Sequence, residues 1–257
     1  MIGLRLERRE SAPAWLKLAL AVGAVLLTLL ICSGLILLAG APVFEAYGRL
    51  FLTPFSSRFD TVETAVKAAP LILTGLAVAV AFRAKFWNIG AEGQLLAGAM
   101  AAAFIGGRAS LPDVALEPLM ILSGAAAGAT WALLPAFLRT RYKVDDVVTT
   151  LLLNFVMFYG MTALLDGPWK DPLSGYPDSP DIRMEAEFPV LLRATRLHLG
   201  IVIALLAALV VWFVMNRTVL GFSIKAVGEN PRAAAYAGIP IARVILTTAA
   251  ISGALAG

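Results

Sequence analysis

Apolar residues do not alternate along this chain. They come in long runs separated by short polar connections. The runs cover Trp15–Leu38 and then roughly residues 63–82, 88–106, 117–138, 147–165 and 199–215, and a last run begins near residue 241. At about 1.5 Å per residue, about 20 helical residues cross a hydrocarbon layer about 30 Å thick. The pattern therefore predicts an all-α, polytopic transmembrane helix bundle of about seven spans, organised as one transmembrane domain over residues 1–257. The last run, "TTAAISGALAG", is still apolar at Gly257, so further C-terminal spans are expected to be missing. Arg5, Arg8 and Arg9 precede the first run, and Ala39-Gly40-Ala41 looks like a signal cleavage site. That run, however, is about twice the length of a typical signal-peptide core of about 7–15 residues, so it reads as a retained span.

Charge gives the runs an orientation. Cations cluster at the N-terminus, at Arg83/Lys85, at Arg139/Arg141/Lys143 and through 217–243, while the connections at 41–61 and 107–116 are mixed or nearly neutral. Cationic loops favour the cytoplasmic side. With the N-terminus inside, every later basic cluster falls on that same side. The Pro-rich loop at 166–198 is then outside, with a short surface helix expected over 188–197.

Composition agrees with this reading: 60% of residues are hydrophobic, 15% are charged and the mean hydropathy is +0.83. A soluble domain carries about a quarter charged residues. The net charge of +4 is gathered in connections, which argues for a lipid bilayer and against nucleic acid as a partner. Cys32 and His198 are the sole residues of their types, so neither a disulfide framework nor a metal centre is expected, and no cofactor is implied.

Polar residues interrupt the runs at two places. In "FWNIGAEGQLLAGAM" (86–100), Phe86 and Trp87 suit the membrane interface, and Asn88 is a candidate N-cap for a helix starting at Ile89. Glu92 then lies in the first turn, where a carboxylate is favoured by the helix dipole. Gly90, Gly93, Ala97 and Ala101 form a slim stripe that admits a neighbour. Two readings stand for Glu92 and Gln94. They line or brace a transport route, or Glu92 pairs with Arg83 or Lys85 and fixes the helix entry. In "VDDVVTTLLLNFV" (144–156), acids open the helix and Asn154 lies about two turns deep, needing a partner on the 88–106 helix or facing a pathway. Pro70 with Thr74 predicts a kink whose freed carbonyl meets a hydroxyl, and Gly124-x-x-x-Gly128 predicts a close-packing face.

The connection "GFSIKAVGENPRAAAYAGIPIAR" (221–243) predicts a short helix over 231–237. Asn230 is its N-cap, Pro231 its first residue and Gly238 its C′ residue, with Pro240 barring continuation. A helix of about two turns is marginal alone and must be docked on something.

Three segments occur in order: "AAPLILTGLAVAVAFRAKFWNIGAEGQLLAG", "DDVVTTLLLNFV" and "AVGENPRAAAYAGI". Together they resemble the permease subunits of bacterial ABC importers of the branched-chain amino acid and simple-sugar superfamily, closest to the nucleoside-type branch. The "DDVV" wording departs from the family pattern at Asp145 and Asp146. The resemblance implies a permease domain in the bacterial cytoplasmic (inner) membrane that moves a small polar solute. Nucleosides come first as cargo, then simple sugars such as ribose, then branched-chain amino acids. It implies two ATP-binding subunits, a second permease subunit (the same chain or a related one) and an extracytoplasmic substrate-binding lipoprotein. It further implies that Gly228, Glu229, Asn230, Pro231, Ala233, Ala234 and Gly238 shape a coupling helix gripped by an ATPase. Asn88, Glu92, Gln94 and Asn154 are the pathway or bracing candidates. No GxxxxGK[ST] phosphate loop occurs, so the chain itself is not expected to be an enzyme and ATP hydrolysis would be the partners' task. An ion-coupled secondary transporter using Glu92 and Asn154 is the alternative, although such a carrier needs no docked lever.

Overall fold

The computed structural model describes residues 13–108, 112–172, 175–183, 187–192 and 195–257. The N-terminal cations Arg5, Arg8 and Arg9 lie outside the described residues. The chain divides into two compact units, Met1–Thr61 and Val62–Gly257.

The first unit holds α1 (Ala14–Leu38), α2 (Val43–Leu52), a 3-10 turn (Thr53–Phe55) and the start of α3 (Arg58–Arg83). α1 exposes Leu18, Leu26, Leu30 and Leu35, as a helix surrounded by hydrocarbon should. Helix α2 falls in what the hydropathy pattern presents as a mere connection, because ten residues are too few to register there. Tyr47 ties it to α1: the phenol hydroxyl donates to the Leu29 carbonyl and lies 3.1 Å from Ser33 Oγ.

The second unit holds the rest of α3, then α4 (Ala91–Arg108), α5 (Asp113–Tyr142), α6 (Asp146–Asp166), α7 (Gly200–Arg217), α8 (Val219–Glu229), α9 (Pro231–Tyr236) and α10 (Ile241–Ala256). Its centre is the packing of α4 and α10 on α5, and small residues permit it. A Cβ added at Gly128 would run into the Gly253 carbonyl oxygen, and one at Gly253 into that of Gly128. A Cβ at Gly98 or Gly124 would meet the backbone of Gly257. The Gly124/Gly128 face thus receives α10. Between apolar helices surrounded by lipid, such backbone approach is a main source of packing energy.

Among the described residues, five helices are long and apolar enough to cross a membrane: Trp15–Leu38, Arg58–Arg83, Ala115–Tyr142, Asp146–Asp166 and Gly200–Arg217. The expected count of about seven included α4 and α10, which fall short of that standard. α10 has 16 residues, and α4 carries Glu92 and Gln94. Both helices bury much of their surface against protein, and a shielded helix does not need the apolar girth of one facing lipid.

Other expectations need correction. Helix α3 continues through Pro70, and the Thr74 hydroxyl donates to Pro70's own carbonyl at 2.8 Å rather than to the carbonyl of Val66 that proline frees. No helix occurs among the described residues of 188–197. Val190 and His198 instead form an antiparallel bridge, and the Phe188 and His198 rings stack at 5.9 Å. α8 appears where only a connection was expected. Thr218 caps it by accepting from the Gly221 N–H, and Ile224 and Val227 bury its apolar side.

Candidate functional site

The polar stretch after α3 forms a node inside the bundle. α4 starts at Ala91, not Ile89. Asn88 does not cap it from the usual position, because its Oδ1 turns back onto the Gly90 N–H at 2.9 Å and also accepts from Gln94 Nε2 at 2.9 Å. Its Nδ2 donates to Gln94 Oε1 and to Ser252 Oγ of α10, each at 2.9 Å. Ser252 donates onward to the Ala77 carbonyl of α3 at 2.7 Å. Asn88, Gln94 and Ser252 are all fully buried, so each polar atom needs such a partner. Phe86 is buried as well, and the Arg139 guanidinium sits over its ring at 5.7 Å.

Residues 87–90 are irregular, and lipid would not tolerate their free backbone groups. Side chains one turn apart on α6 satisfy them. Asp146 accepts from the Trp87 N–H at 2.6 Å, and Thr150 accepts from the Ile89 N–H at 3.2 Å. Asn154 accepts from the Gly93 N–H through Oδ1 and donates through Nδ2 to the Ile89 carbonyl, each at 2.9 Å. A Cβ at Gly93 would lie 2.8 Å from Asn154 Oδ1, so glycine is what lets the two helices close. Asp146 also forms an ion pair with Arg139, whose guanidinium donates to the Lys85 carbonyl at 2.8 Å. The sequence reading missed Asp146 and Thr150 as members of this clasp. The run of four-residue steps from Asp146 to Thr150 to Asn154 was the available signal, since it puts all three on one helix face. Asp145 is the N-cap, accepting from the Val148 N–H at 2.9 Å.

Glu92 stands apart. It lies in the first turn of α4 as expected, but it is exposed and makes no ion pair with Arg83 or Lys85 among the described residues.

The second candidate element is α9. Asn230 Oδ1 accepts from the Ala233 N–H at 3.1 Å, and Pro231 is the first helical residue. The helix ends at Tyr236, one residue before the expected end. Gly238, at φ 79°, closes it with paired bonds from Gly238 N–H to the Ala235 carbonyl and from Ile239 N–H to the Ala234 carbonyl, each 3.0 Å. Ala233 and Glu229 are exposed, and Tyr236 is 95% exposed. Ala234 is buried, so it faces its own chain and offers nothing to an external partner. It belongs to an apolar cluster with Ala84, Phe86, Ile224, Val227 and Val244. Gly228 abuts the Arg83 carbonyl, with no room for a Cβ. The short helix and Phe86, two residues before Asn88, therefore belong to one apolar cluster.

A family model described as branched-chain amino acid transport system / permease component matches residues 61–257. The glucose ABC transporter permease protein TsgB13 of Haloferax volcanii is 37% identical over 265 residues, covering 99% of this chain and 70% of the relative. The guanosine ABC transporter permease protein NupP of Bacillus subtilis is 36% identical over 240 residues, with 91% and 68% covered. The nucleoside ABC transporter permease protein NupB of Lactococcus lactis is 32% identical over 222 residues, with 82% and 60% covered. No solved structure matches the chain.

Proposed function

The chain belongs to the branched-chain amino acid transport system permease family, and from that premise we propose that it is the membrane subunit of an ATP-driven importer for nucleosides. Simple sugars are the next cargo in order. Relatives named for guanosine, nucleosides and glucose support both. In this reading the whole chain serves as one permease domain in the cytoplasmic membrane. α4 and α10 cross with the five apolar helices, and the N-terminus is cytoplasmic because the basic connections then share that side. Two ATP-binding subunits, an extracytoplasmic binding lipoprotein and a second permease subunit complete the machine.

One observation carries the mechanical part of this reading: α9 is capped at both ends, exposed on its outer side and packed through Ala234 onto the cluster that holds Phe86. A pull on α9 by an ATPase is thereby passed to the start of the Asn88 node. Asn88, Gln94 and Asn154 act in it as braces that keep the α4 entry rigid while the bundle rocks. Gly228, Glu229, Asn230, Pro231, Ala233 and Gly238 shape the lever, and Ala234 is its inner anchor. Arg232→Glu together with Tyr236→Ala tests this on the exposed face. In vesicles carrying the full complex, nucleoside uptake should fall at least about tenfold while the subunit still reaches the membrane. Uptake at the unaltered rate would remove α9 as the point of force entry. Uphill uptake by the chain with no nucleotide-hydrolysing partner would remove the importer reading itself.

A further inference from the structure

Helix α7 is held to the bundle mainly through α8. Thr218 ends α7 with an extended backbone, and α8 begins at the next residue. Gly221 lets α8 fold back tightly, because a Cβ there would meet the Val214 carbonyl and the Met215 backbone. Between α7, α8, α3 and α10 lies the recess of about 530 Å³, and its described lining is aliphatic apart from Met215. Leu206 and Val210 line it and are also exposed, so it opens on the side that faces lipid.

A gap open to hydrocarbon fills with it. An empty gap would forfeit the dispersion contacts of its walls, and an aliphatic wall offers water no partners. The length of the recess separates the possible occupants. Its α7 lining runs from Ile203 to Met215, which at about 1.5 Å per residue is about 18 Å. A spanning helix of a second copy needs a groove of about 30 Å, whereas one leaflet of hydrocarbon is about 15 Å deep. The recess therefore suits one acyl chain.

Charge at one end narrows the lipid class. Arg217 is exposed at the end of α7, two residues beyond Met215. Lys225 follows the lining residue Ile224 and reaches back over the corner, donating from Nζ to Asn216 Oδ1 at 3.0 Å. Neither cation has an ion pair among the described residues. Val219 and Phe222 expose apolar side chains on the same corner, as a helix lying at headgroup level does. Cations at that level attract anionic headgroups.

We propose that the α7–α8 corner holds one anionic phospholipid, with an acyl chain in the recess and the phosphate at Arg217 and Lys225. This needs only that α7 crosses the bilayer, and it is independent of the cargo. The test places the complete complex in phosphatidylcholine nanodiscs doped with a phosphatidylglycerol that carries a diazirine in one acyl chain. A parallel sample contains the same fraction of phosphatidylcholine with the same diazirine. Label on Ile251 or Leu255 reports the recess, since both line it and are partly buried. These residues should take at least about fivefold more of the anionic probe, the gain of one cation near an anionic lipid. Leu30 and Leu35 of α1, both exposed, are the reference and should take the two probes alike. Arg217→Gln combined with Lys225→Gln should bring the anionic probe down to the neutral level, and glutamine at 225 still offers Asn216 a donor. The comparison of the two probes on the unaltered complex decides the matter even if that variant does not assemble. Equal labelling of Ile251 and Leu255 by both probes overturns the proposal. So does an unlabelled recess, which means that a protein segment or a second copy fills it.

Discussion

α10 and α7 look alike as strings of letters, since both are short, apolar and nearly uncharged. Inside the fold they have opposite roles. α10 buries Thr248, Ser252 and Gly253, touches α5 backbone to backbone and links to α3 and to Asn88 through one serine. α7 turns Leu205, Leu209, Trp212 and Phe213 outward. Between it and its neighbours lies a recess of about 530 Å³ lined by apolar residues such as Val80, Leu206, Val210 and Ile251. Hydropathy ranks α7 above α10 as a membrane span. Burial reverses the order, because lipid contact demands bulk apolar side chains whereas contact with protein rewards small ones and tolerates satisfied polar groups.

Substitutions can sharpen or break this contrast. The largest effect is expected at Gly253→Val, where the new side chain would meet the Gly128 carbonyl and the Ala132 Cβ. A loss of about 3 kcal/mol or more is expected from such overpacking, read as unfolding at lower denaturant in mild detergent. Arg139→Ala comes next. It leaves the mostly buried Asp146 carboxylate without its cation, at a cost of about 2–3 kcal/mol, less than for a fully buried pair because both groups keep some solvent contact. Adding Asp146→Asn should return part of that loss, and a double-mutant cycle on the same unfolding signal measures how much. Asn154→Ala should cost about 1–2 kcal/mol, since it strands the Gly93 N–H and the Ile89 carbonyl. Leu209→Ala, on the outer face of α7, should stay within about 0.5 kcal/mol. If Leu209→Ala were as damaging as Asn154→Ala, α7 would have to pack against something as closely as α10 does, and the contrast would collapse.

Local signals carried much of the reading. Asn230, Pro231 and Gly238 mark the ends of α9 because caps depend on neighbours within a few residues. Asn88 misled for a related reason. Next to a helix, an asparagine signals a cap, but here a serine 164 positions away and a glutamine six away compete for its amide. Tyr236 and Ala234 show the same limit: both sit in a predicted helix, yet only the packing of α8 and α10 says which one faces in.

The sequence by itself determined that this is an all-helical membrane chain with a capped, docked helix late in its course. Those features follow from the length of apolar runs and from cap chemistry, and both act over a few residues. Only the tertiary structure decided which helices form the centre, that Asp146, Thr150 and Asn154 clasp the entry of α4, and that the Trp131 indole nitrogen is buried beside Gly93. The physical reason is that a buried polar group takes its meaning from its partner, and these partners come from distant parts of the chain brought together by glycine-lined contacts.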